Sequence, residues 1–270
     1  MPEISFAEIQ TTPIRSTDGE SLLLTATETN KIVADIRDIV TDDPYIKYLR
    51  KSIPHDLPEL ETVTVGSETC LVVYRGIKPD HDQATTAAGL CKNRGSKTGE
   101  EGKLQLQHQL DLVEEYHKAI SAKPNLDPTS DNHPGRRFFT QTIGGHMAES
   151  DYSLLIPAAN AEYAAGFRTD QQLLKLTVPL KYIVPVYYQA NTTMPTFSDE
   201  KELAIAGRIE PNWVEVVPPE SIPQILLREK QRKERYQQLE AEKLESEKKS
   251  PSSRNPFVTT SSQRPIVTPI

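Results

Sequence analysis

Apolar side chains recur at regular spacing only as far as Val217, and after that the chain changes character. From Arg228 to Lys249 it is almost continuously Arg, Lys, Glu and Gln. Leu239 and Leu244 are too sparse there to form a buried stripe, so a solvated, exposed helix is expected. Ser250 to Ile270 is rich in Ser, Thr, Pro and Asn and is expected to be disordered. These 43 C-terminal residues absorb most of the deficit behind an overall hydrophobic share of 36%, and any core must come from what precedes them. Three regions follow: an N-terminal helical extension over 1–60, a main domain over 61–227, and a charged helix and tail over 228–270.

Ile32, Val33, Ile36, Ile39 and Val40 fall on one helical face between Thr27 and Val40, with Thr29 or Asn30 as caps. Asp42 and Asp43 before Pro44, with Tyr45, Ile46 and Leu49, predict a second short helix ending before Pro54. The β-branched runs Glu61 to Val65 and Thr69 to Tyr74, separated at Gly66 and Ser67, predict two strands. Leu106, Leu110, Val113 and Tyr116 or His117 give a helix over Leu104 to Ile120. Beyond a Pro-rich loop, a strand is expected over Arg136 to Ile143 and a helix over Pro157 to Gly166. Extended structure follows from Leu173 to Tyr188, interrupted by Pro179 and Pro185, which favours edges or bulges over a central strand, and then a strand around Glu202 to Ile205.

A net charge of -7 argues against nonspecific nucleic-acid or anionic-membrane binding, since both reward clustered Lys and Arg. No apolar run approaches the length of a membrane span. The start, MPEISFAEIQ, lacks a basic region followed by an apolar one, so export would need a route that does not read a Sec signal; cytoplasmic residence is the plainer alternative. Cys70 and Cys91 have no CxxC pairing, and the six histidines lack metal-binding spacing, so neither a disulfide framework nor a metal site is expected. Cys70 reads as a buried thiol in a strand. The run Gly95 to Gly99 followed by Gly102-Lys103 lacks the strand and the Ser or Thr of a phosphate loop, and no Gly-x-Gly-x-x-Gly turn occurs.

Three separated pieces gain meaning only in order: Val72-Val73-Tyr74-Arg75-Gly76, then Arg137-Phe138-Phe139-Thr140-Gln141-Thr142, then Glu200-Lys201-Glu202 leading to Gly207-Arg208-Ile209. Alone, each is an ordinary surface arginine, a pair of good strand residues, or a solvated charge cluster. Together the chain resembles the mono-ADP-ribosyltransferase toxins of the Arg, Ser/Thr, Glu type, and among them the catalytic A subunits of the cholera, heat-labile enterotoxin and pertussis group. Ala88-Gly89-Leu90-Cys91-Lys92-Asn93-Arg94-Gly95 is similar to that group's Gly-Leu-x-x-Arg-Gly element, and His108 takes the place of its histidine at the start of the next helical stretch. Thr140-Gln141-Thr142 stands where the group has Ser-Thr-Ser.

The resemblance implies an α+β split β-sandwich with N-terminal helices and an exposed C-terminal helix, two packed and mostly antiparallel sheets with a cleft for NAD between them. It implies that NAD is a substrate and that ADP-ribose passes to a protein acceptor, with the chain acting as a monomer, as a bacterial toxin or effector delivered into host cytosol. Glu202 would face the ribose, where positive charge develops as the bond to nicotinamide breaks, and Thr140 would help hold that carboxylate. Arg75, a planar and permanently charged guanidinium, suits the pyrophosphate, with Gly76 admitting the backbone close by and Thr142 and His108 completing the cofactor set. Glu200, two residues before Glu202 and on the same side of a strand, marks arginine-modifying members. The alternative is a catalytically silent protein-binding module on the same fold, presenting its charged helix to a partner.

Overall fold

In the computed structural model the described residues are 14–15, 22–24, 26–77, 99–123, 126–127, 130, 132–139, 155–166, 172–186 and 202–249. The apolar stripe from Ile32 to Val40 forms helix α1 (Ala26–Asp42), and Ile32, Val33, Ile36, Ile39 and Val40 are all buried. Asp43 separates it from α2 (Pro44–Arg50) and caps it, its carboxylate accepting from Tyr45 N at 2.9 Å and Ile46 N at 3.0 Å. Pro44 falls where a missing N–H leaves no bond unmade. A short helix, α3 (Ile53–Asp56), leads into β3 (Glu61–Val65) and β4 (Glu68–Ile77), which pair antiparallel around Gly66. Ahead of α1, β1 (Ile14–Arg15) and β2 (Leu22–Leu24) form a small antiparallel pair.

Helix α4 (Gly99–Ala122) comes next, then β5 (Leu155–Ala158), helix α5 (Ala161–Gly166), β6 (Gln172–Pro179), β7 (Ile183–Pro185), β8 (Leu203–Ala206), β9 (Val214–Val216) and helix α6 (Ile222–Lys249). A four-stranded sheet runs β3-β4-β6-β9 and a three-stranded sheet runs β5-β8-β7, every pairing antiparallel. The architecture is therefore α+β, as expected. Leu71 and Val73 of β4 and Leu174, Leu176 and Val178 of β6 share one apolar cluster with Ile156, Ile183, Leu203 and Ile205 of the smaller sheet. On the opposite face of β8, Ala204 and Ala206 pack with α1 and α4. β8 is buried along its whole length because both of its faces are covered, which is why it reads as a continuous apolar run.

Several sequence expectations are corrected. Residues 134–139 are helical, so the strand expected over Arg136 to Ile143 is absent from its first four positions. Local chemistry accounts for this: His133 Nδ1 accepts from Gly135 N at 3.1 Å as a cap would, and Pro134 opens the helix. Phe138 and Phe139 are then buried against Tyr116 and Tyr45. The helix expected over Pro157 to Gly166 starts later, at Ala161, because the residues before it are taken up by β5. Of the two strands expected at edges because of their prolines, only one is: Pro185 ends β7, an edge strand of the smaller sheet, whereas Pro179 ends β6, which lies inside the larger sheet because the proline falls at its last position.

The chain divides into units Met1–Lys233 and Glu234–Ile270. The described residues of the second are helical, with Leu239 and Leu244 both 55% exposed. Ser250 to Ile270 lies outside the described residues. Within the first unit the exposed reading from Arg228 onward fails at Glu229, which is only 4% exposed, while Ile222, Ile225 and Leu226 pack against Val72, Tyr74 and Leu173. Among the described residues no helix is long and apolar enough to cross a membrane.

Candidate functional site

β4 carries Arg75 and Gly76 opposite Leu174 and Leu173 of β6, close to the strand's end at Ile77. One residue earlier, Tyr74 bridges Ala159: Tyr74 N donates to Ala159 O at 2.8 Å and Ala159 N donates to Tyr74 O at 2.9 Å. Ala159 directly follows β5, whose Ala158 pairs with Leu203 of β8. One further step in that register sets Ala159 opposite Glu202. The Arg75 strand and the Glu202 strand, remote in sequence, are thus separated by a single intervening chain. With neighbouring antiparallel strands about 5 Å apart, Tyr74 and Glu202 lie roughly 10 Å from one another along the sheet.

The alternation of side chains refines this picture. Val72 and Tyr74 belong to one face of β4 and Leu71 and Val73 to the other, so Arg75 continues the face turned towards the second sheet. Glu202 shares parity with Ala204 and Ala206, the face turned towards α1. Both side chains are half-buried. Their backbones are brought together while their side chains leave on opposite faces. His108 lies on α4. Thr140, Thr142 and Glu200 lie outside the described residues, as does the Gly-Leu-x-x-Arg-Gly-like segment with Cys91.

Gly207-Arg208-Ile209, the last piece of the sequence pattern, has a structural account. Gly207 has φ +79, and a Cβ there would come within 2.9 Å of Val33 Cγ1, so glycine lets the chain leave β8 against α1. Arg37 of α1 then holds this turn, donating to Arg208 O at 2.8 Å and to Glu210 Oε1 at 2.7 Å while lying over Tyr182 and Trp213. Burial pushes the Glu210 carboxyl up, yet Arg37 and Arg208 outweigh it and leave it below its ordinary value.

A group of polar residues that the sequence did not single out stands directly behind Ala159. Both oxygens of Glu229 accept from Ala161 N, at 2.9 and 3.0 Å, and Oε2 also accepts from Glu162 N at 3.4 Å. Asn160 donates to Glu59 Oε1 at 3.1 Å and accepts from Tyr163 N at 2.8 Å. Arg232 Nε donates to Glu59 O at 2.7 Å, and the other Glu59 oxygen is buried with no hydrogen-bond partner. Burial raises Glu229 to about 7 and Tyr74 to about 12, the Glu229 charge adding to the rise at Tyr74. A signal for Glu229 did exist: it extends the stripe of Ile222, Ile225 and Leu226 by one helical turn.

A second buried group superficially resembles an acid–histidine pair. Asp43 Oδ2 accepts from Tyr116 Oη at 2.7 Å and lies 3.9 Å from His133 Nδ1, all three residues being buried. That nitrogen already accepts from Gly135 N, so it carries no proton to give Asp43. Burial, with the Asp43 charge, drives the Tyr116 hydroxyl far above the usual phenol range. The group caps α2 and joins it to α4. Cys70 is buried in β4, as the sequence reading expects, and burial raises its thiol. Among the described residues no group of three or more His, Cys, Asp or Glu is arranged to hold a metal ion. No family model matches the chain, and no curated protein or solved structure matches it significantly.

Proposed function

We propose that the chain is an NAD-dependent mono-ADP-ribosyltransferase with the ADP-ribosyltransferase-like fold, modifying a protein side chain, with arginine favoured, as a toxin or effector acting in host cytosol. The observation that carries this reading is the seam at Ala159, which brings the ends of the Arg75 strand and the Glu202 strand to within one intervening chain of each other. Arg75 binds the pyrophosphate and Gly76 leaves room beside it. Glu202 stabilises the ribose cation as the C1′–N bond breaks and the bonding electrons leave with nicotinamide. A nitrogen of the acceptor then bonds to C1′ and releases a proton. Thr140, Thr142 and His108 complete the NAD site, and Glu200 orients the acceptor.

The test is NAD turnover by the full chain, followed by liquid chromatography of nicotinamide and ADP-ribose, with Glu202→Gln beside the parent. Turnover in the parent and a loss of about 100- to 1,000-fold in a folded Glu202→Gln variant are expected. Equal rates would remove Glu202 from the chemistry. One observation favours a second reading, a silent protein-binding module: the opposite facing of Arg75 and Glu202. Partner binding in the absence of any NAD cleavage by the parent would select it.

A further inference from the structure

Helix α6 packs on the Arg75 strand through Ile222, Ile225 and Leu226 and reaches the candidate site's polar joint at Ala159, Asn160 and Ala161 through Glu229 and Arg232. Ala159 is bonded to Tyr74 and directly follows Ala158, the partner of Leu203 at the start of β8, so its position sets the spacing of the two strands. Two residues later, Ala161 N is held by both oxygens of Glu229, and between them Asn160 is tied to Glu59, whose own carbonyl is held by Arg232 from the same helix. Two residues of α6, one turn apart, therefore grip the joint from behind. The grip has little slack: Ala159, Ala161, Glu59 and Glu229 are each at most 4% exposed. A carboxylate is the acceptor best suited to two adjacent backbone N–H groups, here the first two amides of α5, and accepting them ties the start of that helix to α6.

We infer that Glu229 is a positioning residue: by holding Ala161 N it fixes the joint that sets the Arg75 strand against the Glu202 strand, so the first turns of α6 control turnover at that site. This rests on the transferase reading for its kinetic consequence but not for its structural one. Arg232 supports the same joint through Glu59. A partner that pulls the first turns of α6 away would lower the rate without touching NAD.

The experiment combines amide hydrogen exchange with steady-state kinetics on the full-length parent, Glu229→Ala and Glu229→Gln. In Glu229→Ala the Ala161 and Glu162 amides should exchange about tenfold faster, the equivalent of about 1.4 kcal/mol, and the Ala159 and Tyr74 amides should speed up with them. Turnover of NAD should fall about tenfold in kcat with KM within about a factor of two, since the pyrophosphate contacts are untouched. Glu229→Gln keeps one acceptor oxygen and should restore most of both. If Ala161 loosens while Ala159 and Tyr74 stay protected, or if kcat is unchanged in Glu229→Ala, the inference is overturned. A parent with no NAD turnover refutes the transferase reading instead, and exchange at Ala159 and Tyr74 then still decides whether Glu229 fixes the joint.

Discussion

Replacing Gly135 by alanine puts a methyl group into the buried Asp43 carboxylate: an ideal Cβ lies 2.2 Å from Oδ1 and 2.3 Å from Oδ2. A flexible surface side chain would swing away from such a contact. Asp43 cannot do so cheaply, because it is 1% exposed and its oxygens are held by Tyr45 N, Ile46 N and the Tyr116 hydroxyl. Moving it costs about 1 kcal/mol for the cap and about 1.5–3 kcal/mol for the buried bond from Tyr116. Shifting residues 134–139 instead displaces Phe138 and Phe139 from the core, a loss of similar size. Gly135→Ala should therefore lose about 2.5–4 kcal/mol, a large fraction of a typical stability of about 5–15 kcal/mol. Guanidinium unfolding followed by circular dichroism measures this from the midpoint at constant slope. Gly166→Ala, where a Cβ meets nothing within 4 Å, is the control and should stay within about 0.5 kcal/mol of the parent. A Gly135→Ala variant as stable as that control would refute the reasoning that Asp43 is pinned.

Other outcomes follow from the site. Arg75→Ala should weaken NAD binding about 10- to 100-fold in calorimetry, the worth of a charge-assisted bond to phosphate; equal affinity would place Arg75 outside the site. Glu200→Gln should spare most hydrolysis of NAD yet reduce transfer to protein at least about tenfold, because water needs less orientation than a guanidinium. Parallel loss of both rates would move Glu200 into the NAD site. Burial raises Glu229 from 4.5 to about 7, against the bonds from Ala161 and Glu162 and the Arg232 charge, with Glu59 adding to the rise. The native state then holds a proton that the unfolded chain has lost. Stability from this group is full below about pH 4.5 and declines as pH rises to about 7, by on the order of 3 kcal/mol at most. Glu229→Gln should flatten that slope in urea titrations, and a parent and variant running parallel across the window would show that Glu229 does not titrate there.

Where a segment's partners are local, the sequence alone was enough. The stripe from Ile32 to Val40 made α1, the Asp43-Pro44 pair set the start of α2, and the β-branched runs around Gly66 made β3 and β4, since periodicity, capping and turn chemistry act over a few residues. The segment from Arg136 misled because two adjacent aromatics and threonines read equally well as a strand. Only burial of Phe138 against Tyr116 and capping by His133 settled it as helix. For the candidate site, Arg75 and Glu202 could be named from residue type and order, but their relation could not. Their faces and their spacing depend on Ala159, an unremarkable alanine whose place comes from pairing with Tyr74 across the fold. The role of Glu229 was hidden for the same reason. Its place one turn beyond Ile222, Ile225 and Leu226 marks only a helix face in the sequence, and it becomes a buried acceptor because the fold delivers the amides of Ala161 and Glu162, from a distant segment, to that face.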